Sequence, residues 1–311
     1  MGKTGRSYGW LIALIVVVLF VILFFAFFGF ILSLLFQSDT VGIGNIAVIP
    51  VSGIIVTEAE ESVFTSSGYA VSSRITEKIE KANKDRSIRA IIVEINSPGG
   101  SPVGSDEIAV AIEKSEKPVV ALIREIGASG GYWVAAPADV IVAHRNSLVG
   151  SIGVIASYVE FPDLLTRFNA TYNRLVAGKY KDAGTPYKEM TKEEEMLFQK
   201  LLDELYEDFI NHVATYRKLD HDYVKELATG WVYTGREAKE LRLIDELGGR
   251  EKAIEIIEHD LNITASIVEY KTQASFLDIL AGTTQNSAYQ MGRGVGDSLT
   301  TQTQQGIKVI A

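Results

Sequence analysis

From Trp10 to Phe36 the chain carries no charged residue, and that run limits what its N-terminus can become. As a helix rising ~1.5 Å per residue, about 27 residues reach ~40 Å, more than the ~30 Å hydrocarbon layer of a bilayer. The run leaves through Leu34, Leu35, Phe36 and Gln37 rather than a small-x-small exit. It therefore reads as a retained, tilted transmembrane anchor and not as a cleaved signal peptide. Lys3 and Arg6 precede it and the first charge beyond it is Asp39. That asymmetry predicts a single-pass cell-membrane protein with a cytoplasmic N-terminus and an extracytoplasmic bulk. The expected division is a cytoplasmic tail (1–9), the anchor (10–36), a polar linker (37–44), a globular domain (45–270) and a flexible, Thr/Gln/Ser/Gly-rich tail (271–311).

Composition removes several kinds of chemistry. The net charge is −9 and no basic block occurs, so nucleic acid is not an expected partner. With no cysteine, thiolate catalysis and cysteine-held metal are excluded. His144, His212, His221 and His259 lack metal-ligand spacing, and each reads as an ordinary surface or core residue. No metal and no cofactor is expected, and any nucleophile must be Ser, Thr or Lys.

Beyond residue 44, apolar runs such as AIIVEI and PVVALI alternate with helical stretches. Such runs suit strands covered on both faces, and the alternation implies an α/β fold with mainly parallel pairing. Strands are expected at Asn45 to Val56, Arg89 to Ile95, Pro118 to Arg124, Val140 to Ala143, Gly150 to Ile155, Thr171 to Ala177 and Ser266 to Tyr270. Helices are expected at Ala70 to Ala82, Pro102 to Lys114, Phe161 to Phe168 and from Gly249. Thr191 with Glu194 and Thr234 with Glu237 form capping boxes. After the first box, Phe198, Leu201, Leu202, Leu205, Phe209 and Val213 recur at helical spacing and read as core.

Three stretches fall at the carboxyl ends of expected strands, where ligands bind in open α/β sheets. They are Asn96 to Gly100, Gly127 to Gly131 and Gly150 to Gly153. In the second, GASGG, the small residues around Ser129 suit either a packing turn or a nucleophile that a peptide backbone must approach. INSPGG offers bare N–H groups that suit an oxyanion, or a simple strand-to-helix turn. A serine needs a base, and GKYKD offers Lys179 and Lys181. A lysine with an ordinary pKa near 10.4 must lose roughly 2 to 3 pH units to serve near neutrality, which demands desolvation. Asp182 opposes that unless it points elsewhere.

INSPGGSP, GASGGYWVAAPAD, GSIGV, GKYKDAGTP with MTKEEE, and VYTGREAKELRLIDELGG together resemble the signal peptide peptidase A family. It is a branch of the ClpP/crotonase-like serine peptidases with repeated β-β-α units, and the chain is similar to its single-domain form. The resemblance implies a serine endopeptidase with a Ser-Lys dyad, Ser129 as nucleophile and Lys181 as base. It further implies Gly99 with Gly130 as oxyanion hole, Ser151 orienting the lysine, and signal-peptide remnants in the bilayer as substrates. A single-domain member is expected to assemble as a homo-oligomer. Arg242, where the family favours a helix-end glycine, and Trp231, where arginine is common, depart from its pattern. A crotonase-like acyl-CoA enzyme and a non-catalytic membrane scaffold stand as alternatives. The apolar end GIKVIA suggests a strand that occupies a groove of its own or a neighbouring chain.

Overall fold

The computed structural model describes residues 9–35, 44–59 and 68–270. The outer part of the N-terminal tail, most of the linker, and the C-terminal tail with GIKVIA lie outside the described residues. The chain divides into two compact units, helix α1 (Gly9–Leu35) belonging to one and residues 44–59 and 68–270 to the other. Helix α1 is a single 27-residue helix with no acidic residue in its first turn and no basic residue in its last. Its side chains are described without a break only over residues 16–29. Among the described residues, no helix is long and apolar enough to cross a membrane.

The second unit is mixed α/β, with a mostly parallel sheet. In chain order its elements are β1 (Ile46–Ser52), β2 (Ile54–Val56), β3 (Tyr69–Val71), α2 (Ser72–Lys84), β4 (Ala90–Ser97), α3 (Pro102–Glu113) and β5 (Val119–Ala128). There follow α4 (Gly130–Ala135), β6 (Val140–Ala143), β7 (Leu148–Gly150), α5 (Pro162–Arg167) and α6 (Lys192–Arg217). The remainder is α7 (His221–Leu227), β8 (Val232–Thr234), α8 (Gly235–Glu240), β9 (Glu246–Leu247), α9 (Arg250–Leu261) and β10 (Ile267–Glu269). The main sheet runs β10-β1-β4-β5-β6-β9, all parallel. β5 holds β6 along its first half and β7 along its second, and β8 closes antiparallel on β7.

Both faces of the sheet are buried, as the apolar runs require. Ile46, Val48, Ile92, Val120, Leu122 and Val142 form one core cluster with Ala253 and Ile257 of α9. The alternating residues Ala47, Ile49, Ile91, Val93, Ala121 and Ile123 are buried as well. Both expected capping boxes form, at Thr191 on α6 and Thr234 on α8.

Three sequence expectations are corrected. No strand forms at 171–177, where the chain is irregular, and none forms at 151–155; the strand found there, Leu148–Gly150, ends where the expected one begins. Residues 155, 159 and 175 are apolar but exposed, Ile155 at 85% and Leu175 at 97%, so within one chain no sheet receives them. The α6 stripe is core only at its C-terminal end. Phe209 and Val213 are buried with Ile210, whereas Phe198, Leu201 and Leu205 lie open.

Candidate active site

β5 ends at Ala128 and α4 starts at Gly130, so Ser129 alone makes the turn between them. It does so at φ 52°, ψ −126°, a conformation that costs an L-residue roughly 1–3 kcal/mol. It matches the strained strand-to-helix turn that exposes a nucleophilic serine. The surrounding contacts hold it: Ser129 N donates to Gly150 O at 2.8 Å, and Ser129 O accepts from Tyr132 N and Trp133 N. The Tyr132 hydroxyl, fully buried, donates to Leu243 O at 2.7 Å and fixes α4 from below. Burial pushes that phenol's pKa well up and keeps it a neutral donor.

The small neighbours have steric reasons. A Cβ on Gly131 would lie 2.6 Å from Ser97 O, and one on Gly127 2.9 Å from three carbons of Ile123. A Cβ on Gly130 would lie 2.3 Å from Ser105 Oγ and 3.3 Å from Gly100 N. The GASGG stretch is therefore both a packing turn and a presentation of one hydroxyl. Ser129 Oγ makes no cap hydrogen bond. It borders a cavity of about 600 Å³ whose lining includes Val103, Ser105, Trp133, Val154, Phe209 and His212.

Gly99 and Gly100 follow β4 with φ 102° and 155°. Gly99 packs on the serine turn, but its N–H donates to Ser97 Oγ at 3.1 Å. Among the described residues no acceptor meets the N–H of Gly100 or of Gly130. Ser151, at φ 50°, donates from its hydroxyl to Gly230 O at 3.1 Å and from its N–H to Trp231 O, and it is not bonded to Lys181.

The two lysines separate clearly. Lys179 is gripped by both oxygens of Glu193 at 2.7 and 2.6 Å, which raises its pKa and keeps it charged. Lys181 is exposed, and among the described residues its ammonium has no ion-pair or hydrogen-bond partner. Asp182 turns away from it onto Arg174, whose hydrogen bonds hold the carboxyl below the usual carboxylate range. Lys181 does not line the Ser129 cavity of its own chain.

Sequence reasoning passed over His212 of α6. Its ring stacks on Trp133 at 4.0 Å and 17°, and its Nε2 lies 2.9 Å from Trp133 O, so α6 clamps the end of α4. Burial lowers its pKa, against opposing contributions from the Trp133 bond, Asp106 and Glu113. The available signal was the spacing of Leu205, Phe209 and His212 on one helical face. Among the described residues no cluster could hold a metal ion.

A serine presented at such a turn, on a mainly parallel α/β sheet, is an arrangement that serine hydrolases use. Comparison with known proteins narrows this. The model of "Peptidase family S49" matches residues 111–264. The chain is 38% identical over 224 residues to "Putative protease MJ0651" of Methanocaldococcus jannaschii, covering 71% of each chain. It is 32% identical over 235 residues to "Putative signal peptide peptidase SppA" of Enterococcus faecium, covering 74% of this chain and 68% of that one. To "Serine protease SPPA, chloroplastic" of Arabidopsis thaliana it is 32% identical over 253 residues, 78% of this chain and 37% of the other. The chain belongs to peptidase family S49, the SppA family, and is a serine protease of that family.

Proposed function

We propose that this chain is a membrane-anchored endopeptidase that degrades cleaved signal peptides and other short hydrophobic or unfolded peptides with a Ser129–Lys181 dyad. The observation that carries the reading is Ser129 itself, strained, lining a cavity of about 600 Å³, with a hydroxyl that makes no cap hydrogen bond. Ser129 Oγ attacks the scissile carbonyl and neutral Lys181 takes its proton. The carbonyl oxygen turns toward Gly130 N–H and toward the Gly99–Gly100 pair, in which the Gly100 N–H meets no acceptor among the described residues. The leaving amine takes the proton back, and water activated by Lys181 releases the acyl group. Ser151 orients the lysine once the site is assembled.

Lys181 is exposed in one chain, and a general base must be desolvated. We infer that a neighbouring copy brings its Lys181 to this Ser129. What supports the inference is the apolar surface left open from Ile155 through Phe168 and Leu175 to Leu201, which a solvated monomer does not favour. The anchor is read from the sequence, where Trp10 to Phe36 carries no charged residue. It places the enzyme where cleaved signal peptides remain and raises its effective concentration for them, with the catalytic unit extracytoplasmic. The test is a peptide-library digest by the detergent-solubilised full chain beside Ser129→Ala and Lys181→Ala. Loss of all cleavage in both variants is expected, and full activity in Lys181→Ala would remove the dyad.

A further inference from the structure

The cavity beside Ser129 draws its apolar walls from three places: Val103 of α3, Val154 and Ile155 after β7, and Leu205 and Phe209 of α6. Two carboxylates, Asp106 and Asp208, interrupt that lining. Helical spacing puts them there. Asp106 follows Val103 by three residues on α3, and Asp208 follows Leu205 by three and precedes His212 by four on α6. Asp106 Oδ1 accepts from Trp133 Nε1 at 3.3 Å, which sets the carboxylate at the edge of an indole that also lines the cavity. Asp208 has no hydrogen-bond or ion-pair partner among the described residues. Of the described residues lining the cavity, none is Lys or Arg.

Whatever fills this space must answer those charges. An apolar side chain would strip water from two carboxylates and give nothing in exchange, and a desolvated charge is costly unless it is paired. A long apolar stem with a cationic tip satisfies the walls and the carboxylates together. The chemistry at Ser129 says which substrate residue enters. The α-carbon of the residue supplying the scissile carbonyl is bonded to the carbon under attack, whereas the α-carbon across the scissile bond lies one atom further away. The cavity that Ser129 itself lines therefore receives the first of the two.

We propose that this cavity is the specificity subsite for the residue supplying the scissile carbonyl, that it selects arginine or lysine, and that Asp106 and Asp208 pair with the cation. The proposal rests on Ser129 as nucleophile and narrows the substrates to peptides with a basic residue at the cut. The test uses the full chain in detergent and three versions of one peptide, with arginine, citrulline or leucine supplying the scissile carbonyl. Citrulline keeps the shape of arginine without its charge. Wild type is expected to show kcat/KM about tenfold higher for arginine than for citrulline, since a partly exposed ion pair is worth up to about fivefold. Asp106→Asn and Asp208→Asn should each lower that ratio about threefold, and the double variant should bring it to about one. Added salt should lower it in wild type. A wild-type ratio near unity, faster cleavage after leucine than after arginine, or an undiminished ratio in the double variant would overturn the proposal. So would equal losses on the arginine and citrulline peptides, which would assign the carboxylates to the dyad instead. A Ser129→Ala chain that still cuts these peptides would remove the nucleophile and the subsite together, whereas a ratio near unity in an active wild type removes the subsite alone.

Discussion

Gly99 faces Ser129 so closely that a β-carbon on it would lie 2.8 Å from Ser129 Cβ and 2.6 Å from Gly130 N. With φ at 102°, the position also disfavours any L side chain. Gly99→Ala must displace the serine turn, and a shift of about 1 Å at a reacting group costs about 10²-fold. The expected result is a fall in kcat/KM of at least about a hundredfold, measured on a peptide substrate, with circular dichroism unchanged.

If the dyad crosses between copies, two dead chains can repair each other. Ser129→Ala retains a working Lys181, and Lys181→Ala retains a working Ser129. Co-expression of the two is expected to restore a measurable fraction of peptide hydrolysis, while each alone stays inactive. A dyad confined to one chain would give no restoration.

Arg174 keeps the Asp182 carboxylate away from Lys181. Arg174→Ala frees that anion beside the base and favours its protonated form. The acid limb of the kcat/KM profile is expected to move to higher pH by several tenths of a unit or more. An unmoved limb with intact folding would show that Asp182 does not reach Lys181.

His212 tests the pH dependence of stability. Because burial depresses its folded pKa below 6.5, the unfolded chain binds the extra proton first on acidification. Stability attached to this group is therefore full above pH ~6.5 and is lost as pH falls toward the folded value. Asp106 and Glu113, which favour the imidazolium, limit the loss. His212→Gln keeps a side-chain N–H donor for Trp133 O and does not titrate. Its thermal midpoint should fall less between pH 7 and pH 5 than that of wild type, and it should keep peptidase activity at neutral pH. Abolished activity at neutral pH in a folded His212→Gln would instead make His212 the base.

Much of this was legible in the sequence because it rests on local rules. The apolar runs announced the parallel strands, and both capping boxes formed where Thr and Glu sit three apart. Arg242, noted as standing where a glycine is usual, does adopt φ 62° just after α8. Replacing it by glycine relieves roughly 1–2 kcal/mol of left-handed strain and gives back roughly 0.4–1 kcal/mol of unfolded-chain entropy. A modest rise in thermal midpoint is expected from Arg242→Gly.

What stayed hidden depends on packing between distant segments. Thr171 to Ala177 reads as a strand by residue type, but within one chain no sheet edge receives it. His212 and Phe209 looked like unremarkable residues of an amphipathic helix, because only the tertiary fold carries α6 over α4. Likewise, INSPGG does not reveal that Ser97 occupies the Gly99 N–H, nor that the Gly100 N–H meets no acceptor among the described residues.

The central claim is that Ser129 is the nucleophile, and the most direct measurement is mass spectrometry of the detergent-solubilised full chain after fluorophosphonate treatment. A single adduct on Ser129, absent from Ser129→Ala together with all peptide cleavage, is the predicted result. An adduct on another residue, or a Ser129→Ala chain that still cuts peptides, would contradict it.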